Sequence, residues 1–211
     1  MARYVSAKLQ YMTANNAPKI GGLLLAAGGS SRLGRPKQLV RFEGKTLIRR
    51  SVEMLTASVC DPVVVVLGAE IEESSREIDG LDISVCVNES WNIGISSSIK
   101  SGLRHLVGIE PDLDAIVIAL CDQPYVTSAD IGSLAAEFRR GGLSIVASGY
   151  DGVSGVPALF SKEMFDQLLT LEGDEGARFL VRRSGNVATV AVDGAAFDID
   201  TPDELAKGSA K

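Results

Sequence analysis

The chain holds little of what nucleophilic, redox or zinc chemistry needs: one histidine, His105, and three cysteines, Cys60, Cys86 and Cys121, in 211 residues. A lone histidine between Arg104 and Leu106, in a stretch with helical spacing, reads as structural, and no Ser/His/Asp or Cys/His set can be drawn from it. Three cysteines without ligand spacing give neither a disulfide framework nor a metal cluster, so a reduced, cytoplasmic protein is the expectation. Apolar runs are short. None reaches the roughly 20 residues a bilayer span needs, and the first residues lack a continuous apolar stretch ending in a cleavage site, which argues against membrane insertion and secretion. Positive charge is short too: 21 Lys and Arg against 27 Asp and Glu leave a net charge of −6, a poor balance for nonspecific nucleic-acid binding. What is present is an ordinary soluble composition, 45% hydrophobic and 23% charged, in a chain long enough to bury a sizeable core.

Residues 1–18 mix Lys8, Gln10, Asn15, Asn16 and Pro18 without a sustained period and read as a mobile leader or an expression remnant outside the fold. From Ile20 short Val/Ile/Leu runs alternate with amphipathic stretches, the pattern of a largely parallel sheet covered by helices on both faces. Strands are predicted at Gly21–Leu25, Pro62–Leu67, Ile83–Val87, Ala115–Leu120 and Leu143–Ala147. Helices are predicted at Leu47–Leu55, Ser96–Leu106 and Ser128–Phe138, the last capped by Thr127 or Ser128. After Gly149 come a glycine-rich turn, a run Val156–Phe160, helical stretches Ser161–Leu169 and Asp174–Val181, and two short strands. A strand Ala196–Asp200 then leads to a helix with Thr201 at its cap and Pro202 at its first position.

The first strand runs into Leu25-Ala26-Ala27-Gly28-Gly29-Ser30-Ser31-Arg32-Leu33-Gly34-Arg35-Pro36-Lys37. Glycines let backbone N–H groups approach an anion, the serines donate further, and Arg32 and Lys37 bring charges that neutralise phosphate oxygens. Neither familiar phosphate loop fits. Gly29 and Gly34 have Walker A spacing, but Arg35-Pro36 stands where Lys-Ser or Lys-Thr is required, and the G-x-G-x-x-G dinucleotide spacing is absent.

The loop resembles the signature of the MobA-like NTP transferases. The resemblance continues at Asn88-x-x-Trp91-x-x-Gly94-x-x-x-Ser98, Cys121-Asp122-Gln123-Pro124, Gly155-Val156-Pro157, Gly173-Asp174-x-Gly176-Ala177-Arg178 and Asp198-Ile199-Asp200-Thr201-Pro202. It covers nearly everything from Ile20 onward and is strongest to the molybdenum cofactor cytidylyltransferases. It implies a three-layer α/β/α fold with a mixed, mostly parallel sheet, like the nucleotide-diphospho-sugar transferases. One nucleotidyltransferase domain over 19–211 is implied, with an NTP-binding part over about 19–149 and an acceptor side over about 150–211.

It also implies roles. Leu25 and Ala26 belong to the nucleotide loop, and Ala27, Gly28, Gly29, Ser30 and Ser31 lend backbone N–H groups to the triphosphate. Arg32 and Lys37 stabilise the leaving pyrophosphate, and Asn88, Gly94 and Ser98 lie on the nucleotide side. Asp122 follows a buried run, so its carboxylate emerges at the sheet's carboxyl edge, where it would hold Mg²⁺. Asp198 and Asp200, two apart, face one way and supply a further ligand, with either of them open as the one used. Gly155, Pro157, Asp174 and Arg178 fall on the acceptor side.

The reaction implied is transfer of CMP from CTP to the phosphate of molybdopterin or its molybdenum form, since Ala26-Ala27 resembles the cytidylyl members, whereas guanylyl members carry glycine second. A recipient molybdoenzyme or its chaperone is the implied protein partner. Other readings are guanylyl transfer to molybdopterin, cytidylyl or uridylyl transfer to a sugar or polyol phosphate, a nucleotide-binding cofactor chaperone and, more distantly, a flavodoxin-like module. Trp91 reads equally as a core aromatic and as a wall of the ligand site.

Overall fold

A computed structural model describes residues 17–29, 36–201 and 204. Most of the expected leader, the loop residues Ser30, Ser31 and Arg32, and Pro202 therefore lie outside the described residues.

The strands, in chain order, are β1 (Ile20–Ala26), β2 (Arg41–Phe42), β3 (Lys45–Thr46), β4 (Val63–Leu67), β5 (Ser84–Val87), β6 (Ala115–Leu120), β7 (Ile145–Tyr150), β8 (Val153–Ser161) and β9 (Val187–Ala191). The helices are α1 (Leu47–Thr56), α2 (Ile71–Glu77), α3 (Ile95–Ile109), α4 (Ser128–Phe138), α5 (Phe165–Thr170) and α6 (Ala177–Arg183). Seven strands form one sheet in the order β5-β4-β1-β6-β8-β7-β9, and β2 and β3 make a separate hairpin. Neighbours from β5 to β6 are parallel, β8 is antiparallel to both its neighbours, and β7 and β9 are again parallel. This is the mixed, mostly parallel sheet the resemblance implied.

Strands buried on both faces explain the unbroken apolar runs. Leu23, Val64, Val66, Ile116 and Ile118 face one side, where Ile99, Leu103 and Leu106 of α3 meet them with α5 and α6. Leu24, Val65, Val117 and Ala119 face the other, under α1 and α4. Truncating a fully buried member such as Ile116 to alanine costs about 2–5 kcal/mol. A third, small cluster of Val40, Phe42, Leu47 and Ile199, with Tyr125 and Phe197 against it, stands apart from both. Thr127 caps α4 in a capping box with Asp130.

Two expectations are corrected, and some elements were not foreseen. No strand forms over 196–200: the chain makes a 3₁₀ turn at Asp193–Ala196 and then an extended segment attached by one ladder-like bond, Ile199 N–H to Asp122 O at 2.9 Å. The alternation is strand-like, but β6 is already flanked by β1 and β8, so no edge is left to pair with. Only one of the two strands expected after α6 forms. Finally, α2 and the β2–β3 hairpin are additions to the expected elements; α2 buries a single residue, Ser74, and the hairpin strands are two residues each, so neither leaves a readable period.

Candidate active site

A cavity of about 440 Å³ opens where β1 and β6 end. Leu25, Ala26, Ala27 and Gly28 form one wall, and Leu120, Cys121 and Asp122 another. Gly94, Ile95 and Ser98 at the start of α3 close a third side, and Lys37 and Gln38 complete the lining. This is the crevice at the carboxyl ends of the strands where open α/β sheets bind ligands. A larger cavity, about 730 Å³, lies at the opposite edge near Lys19, Asp114 and Ser144, away from the loop and Asp122.

Most residues expected on the nucleotide side meet here, with two changes of place. Asn88 is buried behind the cavity, its Nδ2 donating to Ser97 Oγ at 2.8 Å and Ser98 Oγ at 3.0 Å, so it orients Ser98 instead of lining the space. Asp174, expected on the acceptor side, lines this cavity instead. It is carried there because Gly173 O accepts from Ser96 N–H at 3.1 Å and Gly173 abuts Gly94. Gly94 has φ +131°, and a β-carbon there would strike the Gly173 carbonyl, so glycine is required on both counts.

Trp91, half-buried, lies on Gly29 and Gly68, packs against the core beneath α3 and also walls the cavity, so both of its readings hold at once. Gln38, buried with Nε2 toward Ala69 O at 3.4 Å, was missed by sequence reasoning, since nothing in its spacing marks it. His105 Nε2 pairs with Ser84 Oγ at 2.8 Å, tying α3 to β5 in a structural role.

The chemistry gathers around Lys37. Its Nζ lies 3.1 Å from Asp122 Oδ2 and also bonds Asp200. Burial pulls the Lys37 pKa down, but Asp122 and Asp200 outweigh it and hold the ammonium above its ordinary value. Asp198 faces the same centre. Burial, reinforced by the Asp122 charge, pushes its carboxyl up to about 6, against pulls from Gln123 and Arg178. Asp198 and Asp200 thus turn one way, as the two-residue spacing required, while Ile199 turns the other way into the third cluster.

Asp122 Oδ1 and Asp198 Oδ1 are buried without a hydrogen-bond partner. A buried carboxylate oxygen left so calls for a cation or a donor. Among the described residues no three acidic, histidine or cysteine side chains are arranged to hold a metal ion, and the Lys37 ammonium bridges two of the three carboxylates. The donor set is all oxygen, the kind that suits a hard divalent cation once the lysine moves aside.

Arg178 of α6 lies near enough to Asp198 for its charge to act there, and its Nη2 donates to Tyr150 Oη beside Gly155 of β8, the strand that also carries Pro157. Gln123, 3% exposed, donates to Val156 O at 3.2 Å and Ala195 O at 3.1 Å, linking the residue after Asp122 to β8 and to the turn that precedes Asp198. The motif around Asp122 contains Gln123 without marking this role, and no sequence signal marks Tyr150. All three cysteines are buried; burial lifts the Cys121 thiol to about 12 and the Cys60 thiol to about 11.

The chain is similar to nicotine blue oxidoreductase of Paenarthrobacter nicotinovorans, at 29% identity over 89% of this chain and 95% of that protein. It is similar to purine catabolism protein PucB of Bacillus subtilis at 31% over 89% and 95%. A "Probable molybdenum cofactor guanylyltransferase" of Opitutus terrae matches at 29% over 67% of each chain. Among solved structures, Rv0371c of Mycobacterium tuberculosis is 29% identical, with a TM-score of 0.81 over 93% of this chain and all (100%) of that one. A complex of Rv0371c with manganese is 27% identical, with a TM-score of 0.72 over 92% and 99%. Residues 22–189 match the MobA-like NTP transferase domain, and the family resembled by the motifs is the one to which this chain belongs.

Proposed function

We propose that the chain, as one domain over 19–211, transfers a nucleotidyl group from an NTP to the phosphate of molybdopterin or its molybdenum form and releases pyrophosphate, with CTP as the donor. The observation that carries this reading is the Lys37–Asp122–Asp200 centre, with orphaned oxygens on Asp122 and Asp198, beside a cavity walled by the Ala26–Gly28 turn. The relatives named for molybdenum cofactor guanylyl transfer support the acceptor, and the manganese complex of Rv0371c supports a divalent metal, read here as Mg²⁺.

The acceptor phosphate oxygen attacks the α-phosphorus, a new P–O bond forms, and the α–β bridging oxygen leaves on pyrophosphate with the bonding pair. The attacking oxygen is already anionic, so no general base is required. The work is positioning and charge neutralisation. Backbone N–H groups of Ala27 and Gly28, continuing into Gly29, Ser30 and Ser31, receive the triphosphate; Lys37, with Arg32, meets the charge on the leaving group; Ser98, oriented by Asn88, faces the base. Asp122 with Asp198 or Asp200 would hold the metal, which when bound neutralises charge shared between the α-phosphate and the leaving group. Gly155, Pro157 and Arg178 form the acceptor side, and the product passes to a molybdoenzyme or its chaperone in the cytoplasm. Thiol-based redox chemistry is a poor match, because the buried cysteines are held protonated.

CTP is preferred because the Ala27 methyl group, 5% exposed at the cavity wall, narrows the space for a purine. Guanylyl transfer is the second reading, favoured by the name of the Opitutus relative. Pyrophosphate release from each NTP with Mg²⁺ and molybdopterin tests the whole. No release from any of the four NTPs refutes transfer, and faster release from GTP moves the donor to the second reading.

A further inference from the structure

Near Asp198, α6 aims Arg178 at the end of β7, where Nη2 donates to the Tyr150 hydroxyl at 2.5 Å. Gly155 makes room for this meeting. A β-carbon built there would stand 3.0 and 3.1 Å from Arg178 Nη2 and Nε, and closer still to the tyrosine oxygen. Glycine is needed here for space. Among the described residues Arg178 makes no ion pair, yet Asp198 is near enough to feel its charge. The guanidinium therefore keeps N–H groups that no carboxylate uses, and the phenol, having accepted from Arg178, still has its own proton to donate.

Two donors and a full charge, half-buried beside the carboxylates, complement a tetrahedral oxyanion, and the fork of a guanidinium matches phosphate geometry. We propose that Tyr150 is a positioning residue that holds Arg178 as the seat for the phosphate monoester of the acceptor, with Gly155 allowing the two side chains to meet. The phosphate's role as nucleophile rests on the transfer reading; its binding here does not. An arginine left to choose among rotamers would have to be ordered by the ligand at the ligand's expense, and the tyrosine removes that cost beforehand.

Inorganic phosphate is the probe, added to the full chain with a non-hydrolysable CTP analogue filling the triphosphate loop. Phenylglyoxal modification of Arg178, followed by mass spectrometry, reads occupancy. Phosphate should protect Arg178 in the wild type, and Tyr150→Phe should need about tenfold more phosphate for the same protection while binding the CTP analogue unchanged. Gly155→Ala keeps both side chains but drives them apart, and should weaken protection likewise; it carries the comparison if Tyr150→Phe fails to fold. Equal half-protection in wild type and variants, no protection in the wild type, or nucleotide affinity falling in step with phosphate affinity overturns the proposal. A wild type that seats phosphate at Arg178 but releases no pyrophosphate ends the transfer reading and leaves the seat standing. Conversely, turnover with an unchanged acceptor KM in Tyr150→Phe ends the seat and leaves transfer.

Discussion

Lys37→Met should move metal binding and turnover in opposite directions. The ammonium sits 3.1 Å from Asp122 and bonds Asp200, with Lys37 and Asp122 side chains only 18% and 17% exposed. At that separation and an effective dielectric constant of about 20, one such pair is worth about 5 kcal/mol before desolvation is charged against it. Removing an ammonium from among three carboxylates leaves their repulsion uncompensated, which lowers the melting temperature of the metal-free protein. A divalent cation entering the Lys37→Met variant would no longer have to displace a bound charge. Allowing most of the gross pair energy to be lost to desolvation and screening, a net gain of about 1.4–2.8 kcal/mol remains, a tenfold to hundredfold tighter site for Mn²⁺ without nucleotide. Turnover should fall about hundredfold, because the leaving pyrophosphate loses its cation. Mn²⁺ titration followed by electron paramagnetic resonance reads the first effect, and pyrophosphate release the second. If nucleotide-free Mn²⁺ affinity is unchanged or weaker in the variant, Lys37 does not stand in the metal's place and the reasoning fails.

Asp122→Ala should abolish metal-dependent transfer, a loss of several kcal/mol in transition-state stabilisation, while circular dichroism and melting stay near wild type; at least one of Asp198→Ala and Asp200→Ala should raise the metal requirement. Wild-type activity for Asp122→Ala at limiting Mg²⁺ would sink the metal assignment. Cys60 and Cys121 should resist thiol reagents at pH 8 until the protein is unfolded. Their folded pKa values of about 11 and about 12 lie above the unfolded value, so the stability they contribute is complete below about pH 9 and is lost as pH rises through the folded values, by about 1.4 kcal/mol per pH unit per thiol. Thermal unfolding of wild type and Cys121→Ala between pH 8 and 11 checks the sign: the variant should decline less steeply. With Mg²⁺ present, CTP should raise the melting temperature more than GTP at equal concentration, and the reverse order would refute the Ala27 argument.

The sheet was legible because parallel strands buried on both faces write themselves as runs such as Val63–Leu67 and Ala115–Leu120, and Asp122 was legible as a candidate because it stands one residue beyond the end of one of them. The boundaries of α3 and the late start of α6 at Ala177 were less so, since helical spacing fades where Gly173 and Gly176 hand the chain from one element to the next. Asp198 and Asp200 were correctly assigned to one side by spacing alone. Their backbone was misread, because alternation cannot tell a strand with a partner from an extended segment pinned by one hydrogen bond. Tyr150 and Gln38 were invisible for a different reason. Each acts through a contact with a residue far along the chain, Arg178 or Ala69, that no local pattern records.

Carboxylates that repel one another stay together only where their surroundings fix the backbone, and the third cluster does this for Asp122, Asp198 and Asp200. Phe42 meets the Tyr125 ring edge-on at 5.5 Å between centroids, and Tyr125 meets Phe197 at 5.2 Å. Arg50 lies 5.1 Å over Phe42, pairs with Glu43 at 2.9 Å and donates to Pro124 O at 3.1 Å, so the loop after Asp122 is held from outside the cavity. Val40, three residues past Lys37, and Ile199, between the two closing aspartates, are both fully buried in the same knot. Burying an Ile or Val there contributes about 1.5–3 kcal/mol each, enough to offset the repulsion between partly screened carboxylates. The segments bearing the cation, the strand-end aspartate and the closing pair are therefore joined through apolar contacts that share no atoms with the site. Under the transfer reading, that separation would let charges at the centre change partners, from lysine to metal or phosphate, without unmaking the fold that holds them.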